Sequence, residues 1–456
     1  MSSPVSPPPS PDVRPGRLPA LAYAQHFADA SPRLTPAQAV LEAERCLYCF
    51  DAPCATACPT HIEVPSFIKR IADGNLRGAA RAILEANPLG GMCARVCPTE
   101  NLCEAVCVRH TQEGTPVAIG RLQRHAVDAL LESARPQLFT RATTTGKKVA
   151  VLGAGPAGLA CAHTLARLGH DVVLFDAHAK AGGLNEYGLA SYKTPDNFAQ
   201  REVLWLLDIG GIEIRTGWTL ESVAQLDALR QGYDALFLGM GLRSTHQLGV
   251  PGEQLDGVMD AIAFIATLRQ TKDLATLPVG RRVVVIGGGM TAVDAAVQAK
   301  LLGAESVQLV YRRGPAAMSA SVAEQEWAQT HGVTIHHWLA PVDILAYPER
   351  SGHASAVRFA RQSLVAGKLT ATGEIEVMPA DMVLKAIGQQ LGNPVLVQAG
   401  LALDGGRLAT DAAGATNLSG VWAGGDCRAG GLDLTVEAVE HGKQSALAIH
   451  AQLTGA

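Results

Sequence analysis

Twice along this chain an apolar run of strand length ends in a glycine turn, followed by a helix of small residues and a second apolar run. The first instance is Lys148-Val149-Ala150-Val151-Leu152, then Gly153-Ala154-Gly155-Pro156-Ala157-Gly158, then helix Leu159–Leu168 and strand Asp171–Asp176. The second is Arg282-Val283-Val284-Val285-Ile286, then Gly287-Gly288-Gly289-Met290-Thr291-Ala292, then helix Thr291–Leu302 and strand Ser306–Tyr311. Unbroken apolar strands of this kind belong to parallel sheets covered by helices on both faces. Strand, crossover helix and strand around a glycine turn open a nucleotide-binding fold, so the chain reads as α/β with two dinucleotide sites. The tail from about Ala380 reads as a return to the first of them, with Phe237–Gly241 and Val421–Asp426 as strand-to-ligand transitions.

Each turn carries its own chemistry. Gly153 permits the tight turn, Gly155 lets the backbone approach a diphosphate, and Gly158 lets helix and strand pack closely. The helix N-terminus adds free N–H groups and a favourable field. Asp176 ends the second strand, where a carboxylate accepts hydrogen bonds from an adenosine ribose. In the second turn Ala292 stands for the third glycine, and Arg312 and Arg313 replace the acid. A guanidinium pairs with a ribose 2′-phosphate that a carboxylate would repel, which favours NADPH over NADH. The plainer alternative is two arginines on a solvated loop.

Two such sites in one chain suggest a flavin in one and a nicotinamide in the other. A hydride passes directly between those rings, so no protein acid or base is required and no catalytic side chain is assigned. Gly424-Gly425-Asp426 closes a short apolar strand and places an acid where it can hold a flavin's ribityl or phosphate region. Thr435, opening the alanine-rich helix that follows, joins the candidate set.

Ten cysteines are unevenly spread. Cys46, Cys49, Cys54 and Cys58 form one group, Cys93, Cys97, Cys103 and Cys107 another, and Cys161 and Cys427 stand apart as packing residues. Cys427 has no C-x-x-C partner for a redox disulfide. Four thiolates suit iron–sulfur clusters and also structural zinc. The second group lacks the paired knuckles common at zinc, and a cluster has a purpose beside a flavin, so two [4Fe–4S] clusters are favoured over zinc or inert thiols. Spacing alone does not assign ligands to clusters. Around them helices are expected over Pro36–Arg45, capped by Thr35, and over Pro65–Asp73, Leu76–Ala86 and Val117–Leu131.

Composition excludes some classes. A net charge of -4 does not suggest a nucleic-acid surface, and no apolar stretch is long enough to span a membrane. The proline- and serine-rich N-terminus lacks the apolar core of a secretory signal and reads as an extended, poorly ordered arm, making the cytoplasm the expected location.

Taken together, Cys46-Leu47-Tyr48-Cys49-Phe50-Asp51-Ala52-Pro53-Cys54, Val96-Cys97-Pro98-Thr99, Ile119-Gly120-Arg121-Leu122-Gln123, both glycine turns and Ala423-Gly424-Gly425-Asp426 resemble the electron-input portion of dihydropyrimidine dehydrogenase. More distantly they resemble the small subunit of glutamate synthase. The resemblance implies a helical domain with two [4Fe–4S] clusters, followed by a glutathione-reductase-like FAD domain with an inserted NAD(P) domain. The corresponding ranges are a flexible arm at 1–34, the cluster domain at 35–140, FAD-binding parts at 146–250 and 379–456, and the NAD(P)-binding insert at 251–378. It assigns Cys46, Cys49, Cys54 and Cys107 to one cluster, and Cys58, Cys97 and Cys103 with Gln123 as an unusual fourth ligand to the other. Cys93 then matches a cysteine that does not ligate.

The resemblance also implies FAD at residues 153–158, Asp176, Gly183, Lys193, Gly425, Asp426 and Thr435. It implies NAD(P)H at Gly287, Gly289, Met290, Thr291, Ala292, Arg312 and Arg313. One stretch departs from it: Gly182–Lys193 replaces a segment that often ends in Pro-Gln-Phe-Arg, and Lys193 keeps the positive charge without the bidentate fork. No FMN barrel follows residue 456, so the implied partner is an FMN-containing subunit that reduces uracil or thymine, in a hetero-oligomer. The rivals are a glutamate synthase small subunit, another electron supplier, or a metal-stabilised scaffold without electron transfer.

Overall fold

The computed structural model describes residues 12–348 and 350–455. They form two compact units. One comprises Ser31–Glu186, Lys193–Ser244 and the chain from Gln390 onward; the other comprises the described residues up to Ala30, Tyr187–Tyr192 and Thr245–Gln389.

In the first unit five parallel strands run in the order Val421–Ala423, Ala235–Leu238, Lys148–Leu152, Asp171–Phe175 and Ile212–Arg215. The central strand is buried from Val149 onward, as two-sided helical cover requires. The chain leaves this sheet after Leu238 and re-enters it at Val421, so the fold is split as the sequence suggests. Helices Pro36–Glu44, Val64–Ala72, Leu76–Ala86 and Ile119–Leu131 precede it. Thr35 and Gln38 close a capping box on the first of them. The short helix Gly90–Val96, inside the second cysteine group, was not expected.

Phe67, Ile83 and Leu122 of these helices share one apolar core with Val151, Leu159 and Phe237 of the sheet. The stretch around residues 134–146, expected from its weak apolar patterning to be a linker between domains, joins that core. Leu138 and Phe139 are buried, and Phe139 meets Trp205 and His163 edge-on or nearly so, at ring separations of 6.1 and 5.9 Å. Two apolar residues in a polar stretch leave too little periodicity to be read from sequence.

The second unit has its own parallel sheet, ordered Val333–His337, Ser306–Tyr311, Arg282–Gly287, Met382–Ala386 and Val258–Asp260. Two expectations change here. The second sheet extends past residue 379, because the apolar run Met382-Val383-Leu384 pairs with Val283-Val284-Val285. The N-terminal arm is also more structured than its composition suggests. Val13–Arg14 pairs antiparallel with Val279–Gly280, helix Ala20–His26 buries Tyr23, and Arg17 Nε donates to the Val279 carbonyl at 3.0 Å. One valine and one tyrosine suffice to anchor a short arm to an existing edge; residues 1–11 lie outside the described residues. An antiparallel meander, Leu339–Tyr347, Arg350–Val365 and Lys368–Pro379, completes this unit.

Candidate functional site

The first glycine turn is shaped by close approach. Gly153 sits at φ +100°, and a Cβ there would stand 2.3 Å from the Gly239 carbonyl oxygen. A Cβ on Gly158 would stand 1.8 Å from the Gly153 oxygen, so any side chain would force strand and helix apart. Gly155 differs. Its Cβ would meet nothing nearer than the Gly183 Cα, at 3.8 Å, whereas a Cβ on Gly183 would fall 2.7 Å from the Gly155 Cα. Two bare backbones therefore pack together at the N-terminus of helix Pro156–Arg167, whose first-turn N–H groups lack helical partners.

Two of the surrounding candidates meet this turn or its helix. Asp176 accepts from the Ala154 N–H through one oxygen and from the His178 N–H through the other, both at 2.7 Å. The carboxylate thus already ties the turn to the end of the second strand. Gly425 adopts φ +71°, and its Cβ would lie 2.9 Å from that of Ala157, bringing the next residue, Asp426, beside the same helix. Burial pushes the half-buried Asp426 carboxyl up to about 6, with Asp433 adding to the rise and Arg407 opposing it. Thr435 begins a 20-residue helix and donates to Asn185 Oδ1 at 2.8 Å. Lys193 ends a single helical turn, Ser191–Lys193, and is half-buried.

The second turn repeats the geometry in the other unit. A Cβ on Gly287 would stand 2.2 Å from the Ala386 oxygen, and one on Gly288 would strike the Tyr311 ring at 2.4 Å. Gly289 caps helix Met290–Leu301, with Thr291 and Ala292 in its first turn. Arg312 and Arg313 follow the next strand, exposed, and neither guanidinium is bonded to another described residue.

Cys46, Cys49, Cys54 and Cys107 line one open pocket of about 380 Å³, with Pro53, Val64, Ile68 and Ile119 among its walls. The backbone works to turn these thiols inward. Tyr48, Ala52 and His61 all take positive φ without being glycine, at 52°, 33° and 52°. Burial raises the Cys46 thiol and pushes Cys54 up to about 11, so these two stay neutral until a cation arrives. Four soft thiols around one pocket fit an iron–sulfur core, whose iron would supply the opposing charge.

Cys97 bonds to Cys93, which with burial raises its thiol, and Cys103 and Cys58 act on it through their charge. Cys103 is raised mainly by burial. Cys93 also accepts from Asn87 Nδ2 at 3.2 Å. Gln123 is buried, and its Nε2 donates to the Gly90 carbonyl at 2.7 Å, which fixes the amide plane and leaves Oε1 as its remaining ligand atom. Among the described residues, no group of three or more His, Cys, Asp or Glu is arranged to hold a single metal ion. Cys161 and Cys427 are fully buried, and Cys427 Sγ donates to the Leu238 and Gly424 carbonyls, as packing residues do.

Comparison with known proteins gives the setting. Residues 147–442 match the family model described as pyridine nucleotide-disulphide oxidoreductase, and residues 23–135 match that of dihydropyrimidine dehydrogenase domain II, 4Fe-4S cluster. The chain belongs to the pyridine nucleotide-disulphide oxidoreductase family. Within it the chain is 34% identical to the glutamate synthase [NADPH] small chain of Escherichia coli K12, over 92% of each chain. It is also 34% identical to a Salmonella typhi homologue of PreT, a subunit of NAD-dependent dihydropyrimidine dehydrogenase, over 93% of this chain and 97% of that one. The putative oxidoreductase AegA of E. coli K12 is 35% identical over 90% of this chain, which spans only 65% of AegA.

Among solved structures, Mycobacterium tuberculosis FprA in complex with NADPH shares the fold with a TM-score of 0.55 and 19% identity, over 68% of this chain and 85% of that one. Lactococcus lactis thioredoxin reductase gives 0.53 and 20%, over 68% of this chain and all of that one. The chain is thus an NAD(P)- and FAD-linked oxidoreductase of this family, carrying an iron–sulfur-type helical region at its N-terminus. No helix among the described residues is long and apolar enough to cross a membrane.

Sequence reasoning missed several residues that shape these sites. Tyr311 packs against the second turn and Asn185 bonds Thr435, while Gly239, inside the expected strand-to-ligand transition Phe237–Gly241, packs against the first turn in a role not foreseen. Each lies far along the chain from the residue it meets, so no local motif announces it. Glu202 was missed for the same reason, although a fully buried acid on the helix Phe198–Leu207 is itself an unusual placement.

Proposed function

We propose that this chain exchanges electrons between NAD(P)H and an FMN-containing partner that reduces uracil or thymine, through FAD and two [4Fe–4S] clusters. The observation that carries the reading is the pocket where Cys46, Cys49, Cys54 and Cys107 meet, in the same compact unit as the first glycine turn. When bound, flavin takes electrons in pairs and releases them singly, and thiolate-held clusters carry one at a time.

The chain's own residues bind, orient and neutralise. The bare backbones of Gly155 and Gly183 admit the FAD diphosphate to the helix N-terminus, while Asp176 holds the ribose and Asp426 the ribityl chain. Gly287, Gly289 and the first turn of helix Met290–Leu301 receive the nicotinamide nucleotide. Arg312 and Arg313, unpaired and exposed, are free to grip a 2′-phosphate. Cys58, Cys97, Cys103 and Gln123 hold the second cluster. The length matched in glutamate synthase small chains supports a second reading, in which the same electrons serve such an enzyme.

Isolation of the native complex separates the two. A companion that contains FMN, in a complex that reduces uracil with NADH or NADPH, is expected; a large glutaminase-containing companion would overturn the pyrimidine assignment. Anaerobic reduction by each coenzyme tests the arginines. Arg312→Ala with Arg313→Ala raises the KM for NADPH at least tenfold with little change for NADH, and equal effects on both would reject their role.

A further inference from the structure

A carboxylate of the flavin-binding fold reaches into the second cysteine group. Glu202 lies on helix Phe198–Leu207 and is 1% exposed. Its Oε1 accepts from the Gly91 N–H at 2.7 Å, and both of its oxygens lie 3.2 Å from the Met92 nitrogen. Gly91 has room for no side chain, since a Cβ would fall 2.5 Å from the Phe198 ring and 2.7 Å from Glu202 itself. The clamped backbone begins the helix Gly90–Val96 that leads into Cys97, and the carbonyl of Gly90 fixes Gln123.

The clamp has a second jaw. The Arg95 guanidinium lies 3.4 Å from the centre of the Phe198 ring, donates to the Gly91 carbonyl at 3.0 Å and pairs with buried Asp128 at 2.7 Å. Asp128 shares a helix with Gln123, one turn and a residue away. The two proposed ligands of different elements, Cys97 and Gln123, are therefore both referenced to one buried carboxylate. An acid whose oxygens take two consecutive N–H groups fixes a backbone position, and an apolar replacement would leave those donors buried and unpaired.

We propose that Glu202 is a positioning residue for the second cluster, setting Cys97 and Gln123 from the flavin-binding side. This rests on the two-cluster reading above. Its substitution leaves the first cluster's pocket, which it does not touch, in place.

The test is EPR of the dithionite-reduced full-length protein, with flavin absorbance and iron content as controls. Cys54→Ser and Cys97→Ser assign the two signals. Glu202→Ala loses or broadens only the signal that Cys97→Ser removes. Glu202→Gln, which keeps an oxygen for the two N–H groups, restores it. Glu202→Asp, one methylene short, retains bound flavin but shifts that signal alone, and so decides the matter if the alanine variant does not fold. Unchanged signals in both Ala and Asp variants would overturn the proposal, as would parallel loss of both signals and flavin in the Asp variant. Absence of any cluster signal in the parent protein would instead sink the two-cluster reading.

Discussion

The two cysteine groups use the same ligand chemistry in opposite mechanical settings. The first lies around short turns and the four-residue helix Pro53–Thr56, with three left-handed non-glycine residues nearby and Leu47 on the wall of its open pocket. The second is built on and around a short helix, with Cys93 held by Asn87, Gln123 by Gly90, and the helix start by Glu202. A strained open loop persists when something outside it repays the strain, and on the proposed reading that something is the bound cluster. The second site is organised by packing and hydrogen bonds before anything binds. Ligand identity therefore says little about where a site's rigidity comes from.

The largest expected effect breaks that contrast most directly. Cys54→Ser abolishes the first cluster, and amide hydrogen exchange over residues 46–61 then rises strongly while residues 90–97 stay protected. Equal loosening of both segments would erase the distinction. Gln123→Ala comes next: it alters one EPR signal and leaves the other as it was, and an unchanged pair would remove Gln123 from the ligand set.

The smallest effect concerns the seam joining cluster helices and flavin fold. His163, beside Phe139 and Trp205, has its Nε2 buried without a partner, and burial lowers its imidazole to about 3. Its folded pKa lies below the unfolded value near 6.5, so the unfolded chain binds the proton first as pH falls. Stability contributed by neutral His163 is complete above pH 6.5 and drains away as pH falls towards 3. His163→Leu removes this acid slope in calorimetric melts between pH 4 and 7; an identical slope in both proteins would place the sensitivity elsewhere.

Much of this is legible in the order of the amino acids alone. The two strand–turn–helix openings announce themselves because each glycine answers a local steric need, and the first strand of each pairs as an unbroken apolar run should. The helices Leu76–Ala86 and Pro36–Glu44 follow from periodicity and a cap. What stays hidden depends on distant meetings. Met382–Ala386 reads like any buried strand, and only its pairing with Arg282–Gly287 decides which sheet owns it. Val13 and Tyr23 sit in a stretch whose composition argues for disorder. The four cysteines of the first pocket come from both sequence groups, a partition that spacing leaves open and the resemblance supplies.

The central claim is that pyridine-nucleotide electrons cross this chain through flavin and iron held by thiolates. Anaerobic titration of freshly isolated, oxygen-protected protein with reduced nicotinamide tests it most directly. The account predicts bleaching of flavin absorbance, together with loss of a broad cluster shoulder, in protein containing FAD and matched iron and acid-labile sulfide. Colourless protein with neither flavin nor sulfide, or flavin that bleaches beside a zinc-filled cysteine region, would contradict it.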